Sequence, residues 1–480
     1  MEEKLPLPRQ GVVKRRWLIL TIFCLLSMSN GFQWIEYSII ANVVMDFYTV
    51  PAIAIDWTSM IYMLAYIPFI FPAAWILDKY GLRLVALLGA FGNCFGAWIK
   101  CASARPNLFA VTFFGQTIVG LSQIFTLGLP PRLAAVWFGA SEVSTACALG
   151  VFGNQVGIAA GFLVPPMIVR NSGDPAQIAT DLRYLFFLSA GLNSAVFLLV
   201  FFFFRDAPPY PPSAAQHAAI EATMDKNFFS SLKQLLKNRN FVILLITYGL
   251  NVGAFYAVST LLNQMVIYYH PGEELNIGRI GLLIILAGML GSILTGLWLD
   301  KTKTYKMTTL GVYLFSFIFM VVYAATLHLK LLWLVFVVSG LLGFFMTGYL
   351  PLGFELGAEL TYPISEGTTS GLLNASAQIF GVAETLGIGL MFKYTSILTC
   401  NATLSAILLL GTGLTALIKS DLRRQAASKH TTALISNGDA QPVVYKDGLV
   451  ESLSSQKMLD ADADDEEDPP PYSPRMSIIM

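Results

Sequence analysis

Charged residues are scarce in this sequence. Lys, Arg, Asp and Glu make up 12% of its 480 residues, whereas a soluble globular domain carries about 25%. So small a charged share excludes a water-soluble fold of this length and predicts a polytopic membrane protein surrounded by the lipid bilayer. Lys and Arg together number 30, as do Asp and Glu, so the chain lacks the positive excess that attracts nucleic acid. We expect no nucleic-acid partner.

Chemically reactive sets of residues are also missing. The sequence has no Cys-x-x-Cys pair, and its five cysteines lie scattered through apolar runs, which excludes a disulfide framework or a zinc set. They are Cys24, Cys94, Cys101, Cys147 and Cys400. No nucleophile, base and orienting residue occur together, and no glycine-rich phosphate loop is present. We therefore expect no enzyme activity, no cofactor and no metal site.

Long apolar runs are what the sequence does contain. A bilayer core of about 30 Å requires about 20 apolar residues per helix, and twelve such runs predict an all-α membrane protein with twelve transmembrane helices. The first run is too long for the apolar region of a cleavable signal, so we interpret it as a membrane helix. The predicted spans are 17–42, 57–77, 84–104, 108–137, 142–168, 184–204, 240–269, 279–299, 307–327, 331–359, 367–393 and 399–418.

The spans form two groups of six, separated by a polar segment that contains prolines. The predicted organisation is an N-terminal segment 1–16, a six-helix bundle 17–204, a linker 205–239, a second six-helix bundle 240–420 and a tail 421–480. Lys and Arg residues near the spans number 20 on the side of the termini and 7 on the other side, with Lys100 counted in the smaller group. Positive residues concentrate on the cytosolic side, so both termini are predicted to be cytosolic.

The tail is polar and acidic, a composition that predicts disorder. Its segment Pro469-Pro470-Pro471-Tyr472 fits the Pro-Pro-x-Tyr pattern of a polyproline ligand for a WW domain. The alternative is a proline-rich solubilising tail with no partner.

The two bundles repeat each other at a nearly constant offset. Asp78 precedes Asp300 by 222 residues, and Gln155 precedes Gln378 by 223. One shift therefore superposes spans 2 and 5 on spans 8 and 11, which predicts two pseudo-symmetric bundles in parallel orientation. Such repeats are typical of transporters that bind their substrate near the midplane, between the halves.

The loop after span 2 resembles the signature of the major facilitator superfamily, an Asp followed by basic residues around a Gly, in Asp78, Lys79, Gly81 and Arg83. The resemblance implies the major facilitator fold, usually as a monomer. An Asp at a helix end beside a basic loop can pair with it and hold the bundles in one orientation, although an ordinary solvated loop is the alternative. The predicted gating residues, which include two carboxylates expected to face Arg132, are Asp78, Arg83, Arg132, Asp300, Glu355 and Glu359.

The same shift applied to span 1 places Trp34 on Tyr256, so each half offers one large aromatic at the same depth. A quaternary ammonium has no N–H to donate, and aromatic faces attract it. Amides at mid-span can bond a hydroxyl at the other end of a small organic cation. The predicted substrate-binding residues are Trp34, Gln123, Tyr256 and Gln378, with Gln155 and Asn374 as a second tier. The alternative is that these aromatics only pack the core.

The membrane region also resembles one family, the feline leukemia virus subgroup C receptor-related (FLVCR) transporters. The resemblance implies transport of choline and ethanolamine by a facilitative uniporter of the plasma membrane, with haem export as the family's older assigned activity. It also implies that Trp34, Tyr256, Gln123 and Gln378 contact the substrate. The segments that carry the resemblance are Phe32-Gln33-Trp34-Ile35, Ile55-Asp56-Trp57, Tyr62 to Pro68, Val136 to Gly139, Glu142 to Cys147, Gly153-Asn154-Gln155, Ser259 to Met265, Gly348 to Glu355 and Gly371 to Gln378.

Two carboxylates depart from that pattern. Glu36 stands where members of the family carry a neutral glutamine, and Glu384 lies in an apolar stretch. Because Glu36 lies on a different helix face from Trp34, we expect it to have a satisfied or interhelical role. The alternative for either carboxylate is attraction of the cation or coupling to protons. Two other functions stay open. Haem export would have to proceed without a histidine in the membrane, and a non-transporting receptor or scaffold would use the loops or the tail.

Overall fold

The computed structural model describes residues 13–139, 142–209, 228–362, 364, 366–423, 443–446 and 449–452. Its α-helices are α1 Arg15–Ile35, α2 Ala41–Tyr48, α3 Ala52–Cys101, α4 Phe109–Leu127, α5 Leu129–Trp137, α6 Val143–Ile168, α7 Pro175–Phe203, α8 Phe228–Lys237, α9 Arg239–Ile267, α10 Glu274–Thr302, α11 Tyr305–Thr326, α12 Leu332–Thr361, α13 Glu366–Tyr394 and α14 Ile397–Ala416. Short 3₁₀ helices occupy Ser38–Ile40 and Leu327–Leu329. Strands β1 Val443–Lys446 and β2 Leu449–Ser452 pair antiparallel, with Val443 opposite Ser452.

Twelve helical spans in the described part of the chain are long and apolar enough to cross a membrane, which confirms the predicted number. Span 1 combines α1, the first 3₁₀ helix and α2. Spans 2 and 3 are the two segments of α3, and span 4 combines α4 and α5. Spans 5 and 6 are α6 and α7, and spans 7 to 12 are α9 to α14, with the second 3₁₀ helix ending span 9.

Two sequence expectations at the ends of spans were wrong. Span 6 begins at Pro175 and not near residue 184, because the Asp174 carboxylate accepts a hydrogen bond from the backbone N–H of Ala176 (3.0 Å) and caps the helix. Lys100, counted as a loop cation, is buried in span 3. The count of positive residues on that side of the membrane is therefore smaller than predicted.

Consecutive spans run in opposite directions, so the ends of the bundle form two faces. We call the face with Lys14 and Arg423 the terminal face and the opposite one the far face. At the terminal face, a guanidinium nitrogen of Arg15 donates to the carbonyl oxygen of Phe203 (3.2 Å), joining the start of span 1 to the end of span 6. The backbone N–H of Lys419 donates to Asn240 there (3.2 Å), joining the end of span 12 to the start of span 7.

Small residues bring spans 1 and 5 into close contact. Gly153, Gly157 and Gly161 follow one another at intervals of four residues, and a Cβ at any of them would press on the backbone of span 1. Glycines at this spacing let two membrane helices approach closely. This contact is part of the core of the first half, spans 1 to 6.

Span 1 is not a continuous α-helix. Its first segment, α1, ends at Ile35, and a 3₁₀ turn precedes the second segment, α2. Trp34 lies in the last turn of α1 and is buried. The interruption thus separates the segment of span 1 that carries Trp34 from the segment that reaches the far face.

The turn between spans 2 and 3 depends on Gly81, whose φ of 84° is in the left-handed region that favours glycine. The carboxylate of Asp206, at the end of span 6, accepts a hydrogen bond from the backbone N–H of Arg83 (2.9 Å). This contact satisfies an amide at the start of span 3 and ties the loop to its own half.

Candidate functional site

A cavity of about 120 Å³ lies between the two halves of the protein. All six predicted substrate-binding residues line it: Trp34, Gln123, Gln155, Tyr256, Asn374 and Gln378. Spans 1, 4 and 5 contribute three of them, and spans 7 and 11 the other three. The structure thus brings together residues that are up to 344 positions apart in the sequence.

No charged side chain lines this cavity in the described part of the chain. The other lining residues are Ser27, Tyr62, Met63, Thr126, Leu127, Pro130, Gly150, Val151, Asn154, Ile158, Tyr248, Val252, Phe255, Leu350 and Phe354. A cation entering this space therefore meets aromatic rings, amides and hydroxyls rather than carboxylates.

The rings of Trp34 and Tyr256 contact each other across the interface of the halves. Their centroids are 5.6 Å apart and their planes make an angle of 72°, an edge-to-face arrangement. The sequence hypothesis of two aromatics at the same depth agrees with this contact. At this separation no ammonium group fits between the rings, so in this conformation a cation would contact the portions of the rings that border the cavity.

The amides around the rings have acceptor atoms available for a ligand. Gln378 donates from Nε2 to the hydroxyl of Tyr256 (3.4 Å). The Oε1 atoms of Gln123 and Gln155 are buried and have no hydrogen-bond partner among the described residues. Buried polar atoms are nearly always paired, so these two carbonyl oxygens suit a donor that enters the cavity, such as a hydroxyl or a primary ammonium.

Sequence reasoning missed several aromatic residues of the cavity, above all Tyr62, Tyr248 and Phe354. Tyr248 and Phe354 pack with ring centroids 5.3 Å apart, both in the second half. Tyr248 lies eight residues before Tyr256 on the same span, about two helical turns away. This spacing is a sequence signal that Tyr248 lies on the same face of the span as Tyr256.

The cavity continues from the two rings toward the terminal face, where Pro130 and Leu350 line it. Toward the far face the halves are joined by hydrogen bonds. These far-face contacts are Asn263 Nδ2 to the carbonyl oxygen of Ile39 (2.8 Å), the backbone N–H of Asn42 to Asn263 Oδ1 (3.3 Å), Asn42 Nδ2 to Glu274 Oε1 (2.9 Å), Asn171 Nδ2 to Glu274 Oε1 (2.9 Å), Gln264 Nε2 to Asp56 Oδ1 (2.6 Å) and the hydroxyls of Ser59 and Thr260 (2.9 Å). The structure is therefore closed toward the far face.

Asn263→Ala is expected to favour opening of the far face by about tenfold, because it removes two hydrogen bonds between the halves, each contributing about 0.5 to 1.5 kcal/mol. Spin labels at Asn107 and Tyr394, exposed positions at the far ends of the two halves, would report this opening as a longer distance in pulsed EPR on a cysteine-free background.

Asn276→Ala is the matched control, since the contacts of Asn276 with Glu273 and Arg279 lie within the second half. Equal distance distributions in Asn263→Ala and the unmodified protein would contradict a closing role for the far-face contacts.

The structure describes the surroundings of only some of the predicted gating residues. Arg83 donates to the carbonyl oxygen of Phe201 (3.2 Å), in its own half. The side chains of Asp78 and Asp300 lie outside the described residues, as does Pro469-Tyr472. Arg132 is half-buried in α5, whereas on span 10 Glu355 is exposed and Glu359 buried. The gating roles of all six residues stay predictions.

The two unexpected carboxylates have different surroundings. Glu36 pairs with the ammonium group of Lys100, and both side chains are almost inaccessible to solvent. This contact confirms the expected interhelical role. Glu384 is buried in the second half beside Gly253, and neither of its oxygens has a hydrogen-bond partner among the described residues.

Comparison with known proteins places these observations in a family context. The family model of the Major Facilitator Superfamily matches residues 18–383. The chain is 56% identical over 419 residues to the choline/ethanolamine transporter flvcr2a of Danio rerio, covering 87% of this chain and 89% of the relative. It is 54% identical over 421 residues to the choline/ethanolamine transporter FLVCR2 of Homo sapiens (88% and 80% covered) and 51% identical over 454 residues to FLVCR1 of Felis catus (94% and 80% covered).

Solved structures share the fold at low sequence identity. The inward open xylose transporter XylE from E. coli superposes with a TM-score of 0.65 at 13% identity, covering 86% of this chain and 99% of that chain. The transporter FucP in the outward conformation gives a TM-score of 0.59 at 13% identity, covering 85% and 100%. Both likenesses concern the arrangement of the twelve spans.

Proposed function

We propose, from the premise that this chain belongs to the Major Facilitator Superfamily and within it to the FLVCR transporters, that it carries choline and ethanolamine across the plasma membrane by facilitated diffusion. Like its relatives, the protein is a multi-pass membrane transporter and not an enzyme. The relatives named above are choline/ethanolamine transporters, which supports the substrate class.

The observation that carries the proposal is the cavity that Trp34 and Tyr256 border, whose lining within the described residues carries no charge. A trimethylammonium group is attracted by each ring face by about 0.5 to 2 kcal/mol and needs no hydrogen-bond acceptor. A primary ammonium can donate to the free Oε1 atoms of Gln123 and Gln155. One cavity therefore suits both amines, with the alcohol of either substrate bound to the remaining amides.

Alternating access follows from where the halves touch. In the proposed orientation the terminal face is cytosolic, in agreement with the excess of Lys and Arg on that side. The far-face contacts then close the cavity to the outside. Rocking of the halves would break those contacts and separate Trp34 from Tyr256, because the two rings belong to different halves.

Uniport is supported by the absence of an acidic side chain from the lining of the cavity in the described residues. Choline flux in proteoliposomes should then follow the membrane potential, with about tenfold accumulation for about 60 mV, and should not respond to a pH gradient at zero potential. Ethanolamine should exchange with choline through the same cavity. Accumulation of choline driven by pH alone would contradict uniport.

The two other functions predict different results in the same vesicles. A receptor or scaffold would give no flux of either amine. Haem export would give haem flux with choline absent, yet neither His270 nor His328, the two described histidines, lines the cavity. No observation in the structure favours either function over amine transport.

A further inference from the structure

The interruption of span 1 is held by a buried polar network that the transport site does not use. A helix end leaves its last carbonyl groups without partners in the helix. The carbonyl oxygen of Gln33, in the last turn of α1, accepts a hydrogen bond from Nε2 of Gln116 on span 4 (2.7 Å). An amide from a neighbouring span thus replaces a helical bond next to Trp34.

Gln116 is itself held in place by a charged pair. Lys100 on span 3 donates from Nζ to Oε1 of Gln116 (3.1 Å) and also bonds the carboxylate of Glu36, just after the end of α1. The ammonium nitrogen lies 5.8 Å from the ring centroid of Tyr37. We call Glu36, Lys100, Gln116 and the Gln33 carbonyl group the break network; it links spans 1, 3 and 4.

A charged pair inside a membrane is costly, and a stability contribution alone does not explain it, since apolar residues of similar size often stabilise as well. The break network lies between the predicted substrate-binding residue Trp34 and a far-face contact. On one side of it, two residues before Glu36, lies Trp34. On the other side, three residues after Glu36, the carbonyl group of Ile39 bonds Asn263 in the far-face contacts. The break network therefore fixes the turn between Trp34, which borders the cavity, and the part of span 1 that bonds the second half at the far face.

We propose that Glu36 and Lys100 are positioning residues for substrate selection: through Gln116 they fix the last turn of α1 so that the Trp34 ring meets a quaternary ammonium. The proposal rests on the proposed choline and ethanolamine transport. Choline depends on ring faces because its nitrogen carries no hydrogen, whereas ethanolamine also bonds amide oxygens. Loss of the network therefore impairs choline more than ethanolamine.

The first test is Gln116→Leu, which removes the contact to the Gln33 carbonyl group without altering any charge. The ratio of kcat/KM for choline to that for ethanolamine should fall about fivefold. A change of this size corresponds to the loss of part of the attraction between the ammonium group and one aromatic ring. Asn193→Leu is the matched control, because it removes a buried amide of the same half whose bond, to the carbonyl oxygen of Ser189 (2.8 Å), lies within span 6. That control should leave the ratio unchanged.

The second test separates positioning from folding. Lys100→Met alone leaves the Glu36 carboxylate unpaired and should lower the amount of protein in the membrane. Glu36→Gln combined with Lys100→Met should restore the amount yet keep the lowered choline to ethanolamine ratio.

An unchanged ratio in both Gln116→Leu and the double variant, or an equal fall of both rates, would overturn the positioning role. Absence of flux for both amines in the unmodified protein would instead refute the proposed function.

Discussion

Trp34→Ala and Tyr256→Ala are each expected to reduce choline uptake about 30-fold or more while the protein still reaches the membrane. Each substitution removes a ring face that attracts the desolvated ammonium by about 2 kcal/mol, and it also removes the edge-to-face contact of the two rings. Uptake of labelled choline, divided by the amount of protein at the surface, measures the effect.

Ring-preserving and distant variants make that result specific. Tyr256→Phe keeps the ring and loses only the hydroxyl that accepts from Gln378, so choline uptake should stay within about threefold of normal. Trp333→Ala removes an indole that is 64% exposed on the outside of the bundle and should leave transport unchanged. Normal choline uptake in both Trp34→Ala and Tyr256→Ala would rule out the aromatic site.

Gly157→Ala is expected to remove most of the folded transporter from the membrane. A Cβ at this position would overlap the carbonyl oxygen of Met28 on span 1, and backbone atoms cannot turn away as a side chain can. Overpacking of this kind costs about 1 to 3 kcal/mol or more, and here it would push apart spans 1 and 5, which support Trp34. Surface abundance and the monodisperse fraction after extraction in detergent measure the loss.

Gly191→Ala is the matched control on span 6. Among the described residues, no atom outside the local helix backbone lies within 4 Å of the position that a Cβ would take there, and alanine favours a helix over glycine by about 1 kcal/mol. This variant should therefore be as abundant as the unmodified protein or more so. Normal abundance of Gly157→Ala would show that spans 1 and 5 can separate without loss of the fold.

Much of the candidate site could be predicted because corresponding residues of the two repeated halves lie at the same depth in the membrane. The shift that superposes Asp78 on Asp300 also superposes Trp34 on Tyr256, and the structure brings these two rings into contact. Mid-span amides are costly in an apolar run unless they face a partner or a cavity. The mid-span amides Gln123, Gln155, Asn374 and Gln378 all line the cavity, as this cost predicts.

Other contacts of the protein could not be predicted from the neighbouring sequence. Lys100 stands at the end of an apolar run, where the sequence pattern indicated a loop cation, yet it is buried against Glu36, 64 residues earlier. The far-face contact of Asn42 with Asn263 spans 221 residues. No periodicity along one helix can reveal such partners, because they depend on which faces of distant helices meet.

The sequence by itself determined the membrane class, the number of spans, the internal repeat and the depth of the candidate binding residues. These follow from hydropathy, charge distribution and repeat spacing, which act locally or at one offset. Only the tertiary structure decided that the rings touch edge to face, that span 1 is interrupted after Trp34, that Lys100 pairs with Glu36 and that the far face is closed. Each of these depends on packing between helices that are distant in the chain, where contact distance and burial select the partners.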